Sequence, residues 1–286
     1  MRRLSHIKFL SFFFFCLLLM PQKSFAWGAE GHAIVAELAM HCLPEAKQAK
    51  IKALLKEDKS LLVPTSLEGE ASFPDSYWPL HPETLPWHYV NNDWKHPNVL
   101  SACPPIESAE KGGCVLNRIE YFRKILKDQN ASLEKKLFAL QFIIHLVGDM
   151  HQPLHAISDK DRGGTQKFAV VSGQLVPTNF ASSLHTYWDT NFIVLEWLGR
   201  VDLEQKLIAE ITPKEIQSWQ KGSVWDWSRE AYKLGARDGY AALPKAHKDG
   251  LYVLDEIYVH QAQKDIHLQL KRAAVRLAMI LEESAF

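Results

Sequence analysis

Apolar positions recur at helical intervals along most of the chain and are densest in residues 141 to 155, QFIIHLVGDMHQPLH. Phe142, Ile143, Ile144, Leu146 and Val147 form an apolar jacket and predict a buried helix. It begins near Ser132, an imperfect N-cap because Lys135 and Lys136 follow it. Pro153 makes regular helix unfavourable beyond Gln152. An alanine-rich helix is expected from Glu30 to Leu43, then a second from Pro44 to about Lys59 with lysines on its outer side. Another is expected from about Ser108 to Lys127. Later helical patterns cover 191 to 199, 202 to 210, a restart at Thr212-Pro213, 223 to 239, and a long run from about Ile257 to Leu281. Residues 60 to 107 are rich in proline and aromatics and read as irregular, and a structureless stretch of that length is usually functional. Asp159 to Thr165 reads as a glycine turn. Lys167 to Val176 alternates weakly and predicts a small two-stranded hairpin. No strong repeat, low-complexity tract or polar linker interrupts the pattern. The expectation is a mainly α, compact, multi-helix single domain with a small β-hairpin.

The first 26 residues break from this pattern. Arg2, Arg3 and Lys8 precede an apolar run from Phe9 to Met20, and Ser24-Phe25-Ala26 offers small residues for cleavage. The run is short for a membrane span. Residues 1–26 therefore read as a secretory signal peptide, and residues 27–286 as the domain. The expected location is secreted or periplasmic, with no stable membrane association, and the expected state is a monomer. The 286-residue chain has 33 basic and 33 acidic residues, and the leader carries four of the basic ones. The remainder holds 29 against 33, which excludes a broadly basic nucleic-acid wrapper. A nucleic-acid substrate would need a local site. Of four cysteines, Cys16 leaves with the leader. Cys103 and Cys114 bracket a Pro/Gly-rich loop that a disulfide would close in an oxidising compartment. Cys42 reads as a buried thiol, and its pairing with either of the others stays open. Three scattered cysteines make no zinc cluster.

Chemistry concentrates in the central stretch. His145 and Asp149, four apart, share one face of a helix, and a turn delivers His155. His151 departs from that face and reads as a supporting residue. His185 and Asp189 repeat the interval of four, on a helix capped by Ser182 or Ser183. His32, Asp75 and His88 complete the set. Imidazoles with carboxylates suit zinc without thiolates. Two helical pairs with an extra histidine after the first favour more than one ion and point to a multi-metal hydrolase.

At these residues the chain resembles the zinc-dependent S1/P1 nucleases and, more distantly, bacterial zinc-dependent phospholipase C. The resemblance rests on Trp27-Gly28 with Gly31-His32, Asp75, Trp87-His88, HLVGDMHQPLH from His145 to His155, Gly163-Gly164, and His185-Thr186-Tyr187-Trp188-Asp189. It implies the phospholipase C/P1 nuclease fold and three zinc ions per chain. The amine and carbonyl of Trp27, freed by processing, share one ion with His32 and Asp149. Asp75, His88 and His145 hold a second, with Asp149 bridging this close pair. His155, His185 and Asp189 hold the third. Asp75 and Asp149 become the catalytic carboxylates, with Asp75 accepting or orienting a proton. The implied reaction is cleavage of single-stranded DNA or RNA at the P–O3′ bond to give 5′-phosphorylated products, with 3′-nucleotidase activity on 3′-mononucleotides. Tyr89 is the candidate platform for a base and Asn91 for its edge, with Trp78, Trp87 and Trp94 as further aromatics. Gly163 and Gly164 admit close backbone approach.

Three positions depart from the family pattern. Relatives often carry arginine three residues after the Asp75 position, where this chain has Trp78, so phosphate would rely on the metals or on Lys95, Lys160 or Arg162. Thr165 and Ser183 stand where asparagine is usual. Two other readings share these residues: a secreted phospholipase C and a non-catalytic zinc-binding protein. Asp189 argues against the first, because those lipases use glutamate there.

Overall fold

The computed structural model describes residues 27–96, 103–108, 111–172, 181–196 and 199–286. The leader expected over 1–26 lies outside them. Helices α1 (Ala29–His41) and α2 (Glu45–Leu55) open the chain, with Pro44 as the N-cap of the second. Residues 60–107 are less irregular than their prolines suggested. They contain α3 (Leu67–Glu70), α4 (Phe73–Tyr77), a 3₁₀ segment Pro82–His88 and the short strand β1 (Asn92–Asp93). Proline is tolerated in a first helical turn, so it shortens helices here rather than forbidding them.

Helix α5 (Val115–Lys127) starts seven residues later than expected. Ile106 and Gly112 pair instead in an isolated antiparallel bridge, and Gly112 and Gly113 are left-handed. Cys103 and Cys114 form a disulfide, and Cys42 is a half-buried free thiol. The central helix α6 (Leu133–His151) is capped by the Ser132 hydroxyl, which accepts the Lys135 N–H at 3.3 Å. A 3₁₀ turn, Pro153–His155, follows it and leads into β2 (Ile157–Ser158).

Strand β3 (Phe168–Val171) forms, but its partners are not those of a local hairpin. Antiparallel β4 (Ser182–Ser183) lies on one side and parallel β5 (Tyr252–Leu254) on the other. The rest of the expected hairpin, from Gly173 on, lies outside the described residues. Ser183 caps α7 (Leu184–Thr186), which runs into a π-helical turn (Tyr187–Asn191) and α8 (Phe192–Val194). The chain closes with α9 (Arg200–Glu210), α10 (Pro213–Trp219), α11 (Val224–Leu234), a second π turn (Gly235–Ala241) and α12 (Glu256–Glu282).

The fold is mainly α, as expected. Helix α6 packs against α5, α1 and α12, and α1 in turn packs against α12. This central position explains why α6 is buried all round over residues 139–150, and why nearly all of its side chains there are apolar apart from Gln141, His145 and Asp149. Among the described residues no helix is long and apolar enough to cross a membrane.

Candidate metal centre

Three groups of histidine and aspartate side chains converge around the C-terminal half of α6: His32, His145 and Asp149; Asp75, His88 and His145; and His155, His185 and Asp189. In each group the candidate ligand atoms lie within 4.8 Å of one another. All eight residues are buried.

The first two groups share His145 and surround Asp149. Helix α1 brings His32 face to face with His145, with the rings stacked at 3.7 Å. His32 Nε2 lies 3.4 Å from Asp149 Oδ1, and His145 Nε2 lies 3.3 Å from Oδ2. The 3₁₀ segment brings His88, whose Nδ1 is 3.0 Å from Asp149 Oδ2 and 3.2 Å from His145 Nε2. Asp75, in the first turn of α4, stands 3.6 Å from His145 and 3.9 Å from His88. Gly148 leaves room for this packing, because a Cβ there would meet His32 Nδ1 at 3.0 Å.

In the third group His185 Nε2 is 3.3 Å from Asp189 Oδ2, although their interval crosses from α7 into a π turn. His155 Nε2 is 3.9 Å from Asp189 Oδ1, and the His155 and His185 rings stack at 5.0 Å. The Gln152 amide donates to the same Asp189 oxygen while its carbonyl accepts the Leu154 N–H. Gln152 thereby ties the end of α6 to the π turn.

Backbone carbonyls orient three of the imidazoles. Nδ1–H of His145 donates to Ala71 O (2.8 Å), that of His155 to His88 O (2.8 Å) and that of His185 to Gly163 O (2.7 Å). Each bond fixes the tautomer and turns the Nε2 lone pair into the cluster. The Nε2 atoms of His32, His88 and His155, Nδ1 of His32 and Oδ1 of Asp149 are buried without a hydrogen-bond partner. Buried polar atoms left unpaired are costly, and so many in one place fit a cation that accepts their lone pairs. The donor set of imidazoles and carboxylates suits zinc.

Electrostatics agree with that fit. Burial lowers His32 to about 4, helped by the neighbouring His145, and lowers His155 to about 3. His185 is also lowered by burial. Burial opposes charge on His145 too, but Asp149 and then Asp75 outweigh it and hold its pKa up at about 9. Asp149 stays well below the usual range despite its burial, because the His145 charge and the close approach of the His145 and His88 nitrogens favour the carboxylate. The neutral His32, His155 and His185 imidazoles and the ionised Asp149 are in the forms that bind a metal ion, whereas His145 gives up its proton when a cation takes its place.

His151 stands apart from these groups. Its Nδ1–H donates to Val147 O (2.7 Å), and Arg276 of α12 donates to its Nε2 (2.8 Å). Arg276 also reaches Trp219 O (2.9 Å) and Glu230 (2.7 Å), while Gln269 donates to His151 O (2.8 Å). The sequence did not point to Gln152, Asp161, Gln269 or Arg276 as supports of the site, although Gln152 lies inside the motif from His145 to His155.

Trp27 is fully buried, and its indole N–H donates to Gly148 O (2.8 Å). The next amide, Gly28 N–H, donates to Asp189 O (2.9 Å), so the start of the described chain lies between α6 and the π turn. Tyr89 is half-buried, whereas Asn91 and Arg162 are exposed. Trp87 is a core residue packed on Phe122, Phe142 and the Arg118 guanidinium, and is no substrate platform. Trp94 stacks on Tyr240 at 5.6 Å. Gly163 and Gly164 are both left-handed and buried.

Residues 27–285 match the family model described as S1/P1 Nuclease. The chain is 26% identical over 282 residues to Endonuclease 2 of Arabidopsis thaliana, covering 93% of this chain and 92% of that protein. It is 26% identical over 207 residues to Nuclease P1 of Penicillium citrinum, covering 69% of this chain and 66% of that one. Against Nuclease S1 of Aspergillus oryzae the identity is 26% over 178 residues, covering 61% and 57%.

Proposed function

Because the chain belongs to the S1/P1 nuclease family, we propose that it is a secreted, trinuclear-zinc phosphodiesterase that cuts single-stranded DNA or RNA. Cleavage is at the P–O3′ bond and leaves 5′-phosphorylated products, and 3′-mononucleotides lose their phosphate at the same site. The observation that carries the metal reading is the buried cluster of unpartnered ring nitrogens with Asp149 Oδ1. His32, Asp149 and the freed amine and carbonyl of Trp27 would hold one ion. Asp75, His88 and His145 would hold another, with Asp149 bridging, and His155, His185 and Asp189 the third. Residues 1–26 act as the leader whose removal exposes Trp27, and residues 27–286 are the nuclease domain. The family match begins at Trp27, which supports that boundary.

Bound zinc would supply positive charge beside the phosphate and acidify water at neutral pH. The chain's own residues do the remaining work. Asp149 stays ionised at the centre and keeps its neighbouring imidazoles aligned. Asp75 takes or orients the proton of the attacking water. The carbonyls of Ala71, His88 and Gly163 keep the ligand rings from turning. Phe142, Ile143, Leu146 and Val147, all buried, exclude bulk water behind the ligands. Tyr89 supports an unpaired base, Asn91 meets its edge, and Gly163 and Gly164 let the strand approach the backbone.

The test uses one preparation of secreted protein. Its N-terminal residue should be Trp27, it should carry three zinc ions per chain, and it should cut single-stranded DNA and release phosphate from 3′-AMP. Processed, zinc-saturated protein that held fewer than three ions and left both substrates intact would refute the reading.

A further inference from the structure

The sequence leaves three cations open as phosphate partners, and the structure separates them. They lie around residues 159–165, the loop that leaves β2 and leads to β3. Lys160, Arg162, Gly163 and Gly164 are left-handed there, with φ of 58°, 54°, 64° and 86°. Side-chain-bearing residues disfavour that conformation, so the loop needs fastening. Asp161 supplies it from within. Its carboxylate accepts from the Tyr240 hydroxyl (2.7 Å) and the Asp159 N–H (3.0 Å), and it pairs with Lys167 (3.1 Å). With Asp161 buried, Lys160 and Arg162 on either side of it are exposed.

Lys95 is paired with Asp159 at 3.3 Å. Lys160 stands two residues farther than Arg162 from Gly163, the residue whose carbonyl meets His185. The Arg162 side chain has no carboxylate partner among the described residues. The aromatic residue on the other side of the third ligand group is the half-buried Tyr89. Both residues adjoin a carbonyl that orients the third ligand group. Tyr89 follows His88, whose carbonyl takes the His155 proton, and Arg162 precedes Gly163, whose carbonyl takes the His185 proton. An aromatic residue and a guanidinium thus sit next to the two carbonyls that hold the stacked His155 and His185 rings. A guanidinium matches phosphate oxygens through two parallel N–H bonds, and an aromatic face accepts any base.

We propose that Arg162 binds the phosphate next to the one being cleaved, beside a base resting on Tyr89. This rests on the nuclease reading above. The flanking phosphate is assigned because the candidate metal ligands are buried while Arg162 is exposed at their rim. The reacting phosphate belongs at the ligands, and the rim meets the strand as it leaves them.

The experiment compares wild type with Arg162→Gly, Arg162→Lys and Lys160→Gly on a single-stranded oligonucleotide and on a 3′-mononucleotide. Glycine suits a left-handed position, so Arg162→Gly removes the charge without forcing the loop. Zinc content should match wild type in all variants. For the oligonucleotide, Arg162→Gly should raise KM by roughly five- to tenfold with kcat within twofold. It should also flatten the dependence of log kcat/KM on log salt by about 0.7, the slope of one lost phosphate contact on a single strand. The loss should be at least threefold larger for the oligonucleotide than for the mononucleotide. Arg162→Lys should restore the salt slope and only part of KM, and Lys160→Gly should change KM less than twofold. Unchanged KM and salt slope in Arg162→Gly, an equal loss in Lys160→Gly, or loss of zinc would overturn the proposal. A wild type that cuts neither substrate would sink the nuclease reading with it, whereas an active wild type with an indifferent Arg162→Gly would sink this inference alone.

Discussion

The ligand groups on the two sides of Asp149 are built differently. Around His32, His145 and Asp149 the supports are regular helices, α1 and α6, packed in the core with no exposed ligand surface. The group of His155, His185 and Asp189 rests on a 3₁₀ turn, a three-residue helix and a π turn. Its orientation depends on Gln152 and on a loop held in left-handed conformations by Asp161. Regular helices place side chains through many small contacts, so no single support decides the geometry. Irregular turns concentrate that task in a few polar bonds, and each left-handed non-glycine residue costs on the order of 1–2 kcal/mol that its surroundings must offset. The helical side should therefore be robust to changes in its surroundings, and the turn-built side sensitive to them.

The largest effect expected is for Asp149→Ala. Its carboxylate approaches His32, His88 and His145, so the variant should lose zinc from the two groups that share His145 and activity by more than about 10³-fold, beyond the 10–100-fold typical of outer-shell changes. Asp189→Asn should release one ion and lower kcat about 10²-fold, more than an outer-shell support would. Equal zinc loss in the two variants would break the distinction between the sides. Asp161→Asn should lower activity roughly tenfold and speed zinc release from the third group only, read by chelator competition. It should also lower the melting temperature by several degrees through loss of a charged hydrogen bond.

The smallest effect is one of pH, and its sign differs between the sides. Burial pushes Glu70, bonded to Gln141 of α6 behind the helical groups, up from 4.5 to about 7. A raised carboxyl binds its proton more tightly when folded. Its stabilising share is complete below pH 4.5 and is lost as pH rises through about 7. Asp161 is held below its usual value: burial pushes it up, but hydrogen bonds from Tyr240, Gly164 and Lys167 outweigh that. Its share is present above its ordinary value and is lost as pH falls through the lower folded value. Melting curves from pH 3 to 8 should show Glu70→Gln flattening the slope between pH 4.5 and 7, and Asp161→Asn flattening only the acid limb. A single variant that flattened both would refute the assignment.

This contrast also decides what was readable from the sequence. Helix α6 was legible because its jacket and the interval of four between His145 and Asp149 are properties of a regular helix. Ser132 and Pro153 marked its ends by local backbone chemistry. The orienting carbonyls of Ala71, His88 and Gly163 were not legible, since every residue has a carbonyl and only the fold selects one. Strand β3 was found but its parallel partner was not, because Tyr252–Leu254 lies far along the chain. The helix expected from Ser108 starts at Val115, because Gly112 and Gly113 take positive φ that a helix cannot contain. Asp161 looked like one turn residue among several until Tyr240, from a different part of the chain, came within 2.7 Å.

Distance along the chain and influence on the centre part company at Arg276. Helix α12 contributes none of the candidate ligands, yet this one guanidinium joins His151 at the foot of α6 to Glu230 and the Trp219 carbonyl. A protein ending just before residue 276 would keep each candidate ligand and still leave that imidazole, two residues from Asp149, facing a gap. Damage at the far C-terminus would then read, in an assay, as damage to the catalytic machinery.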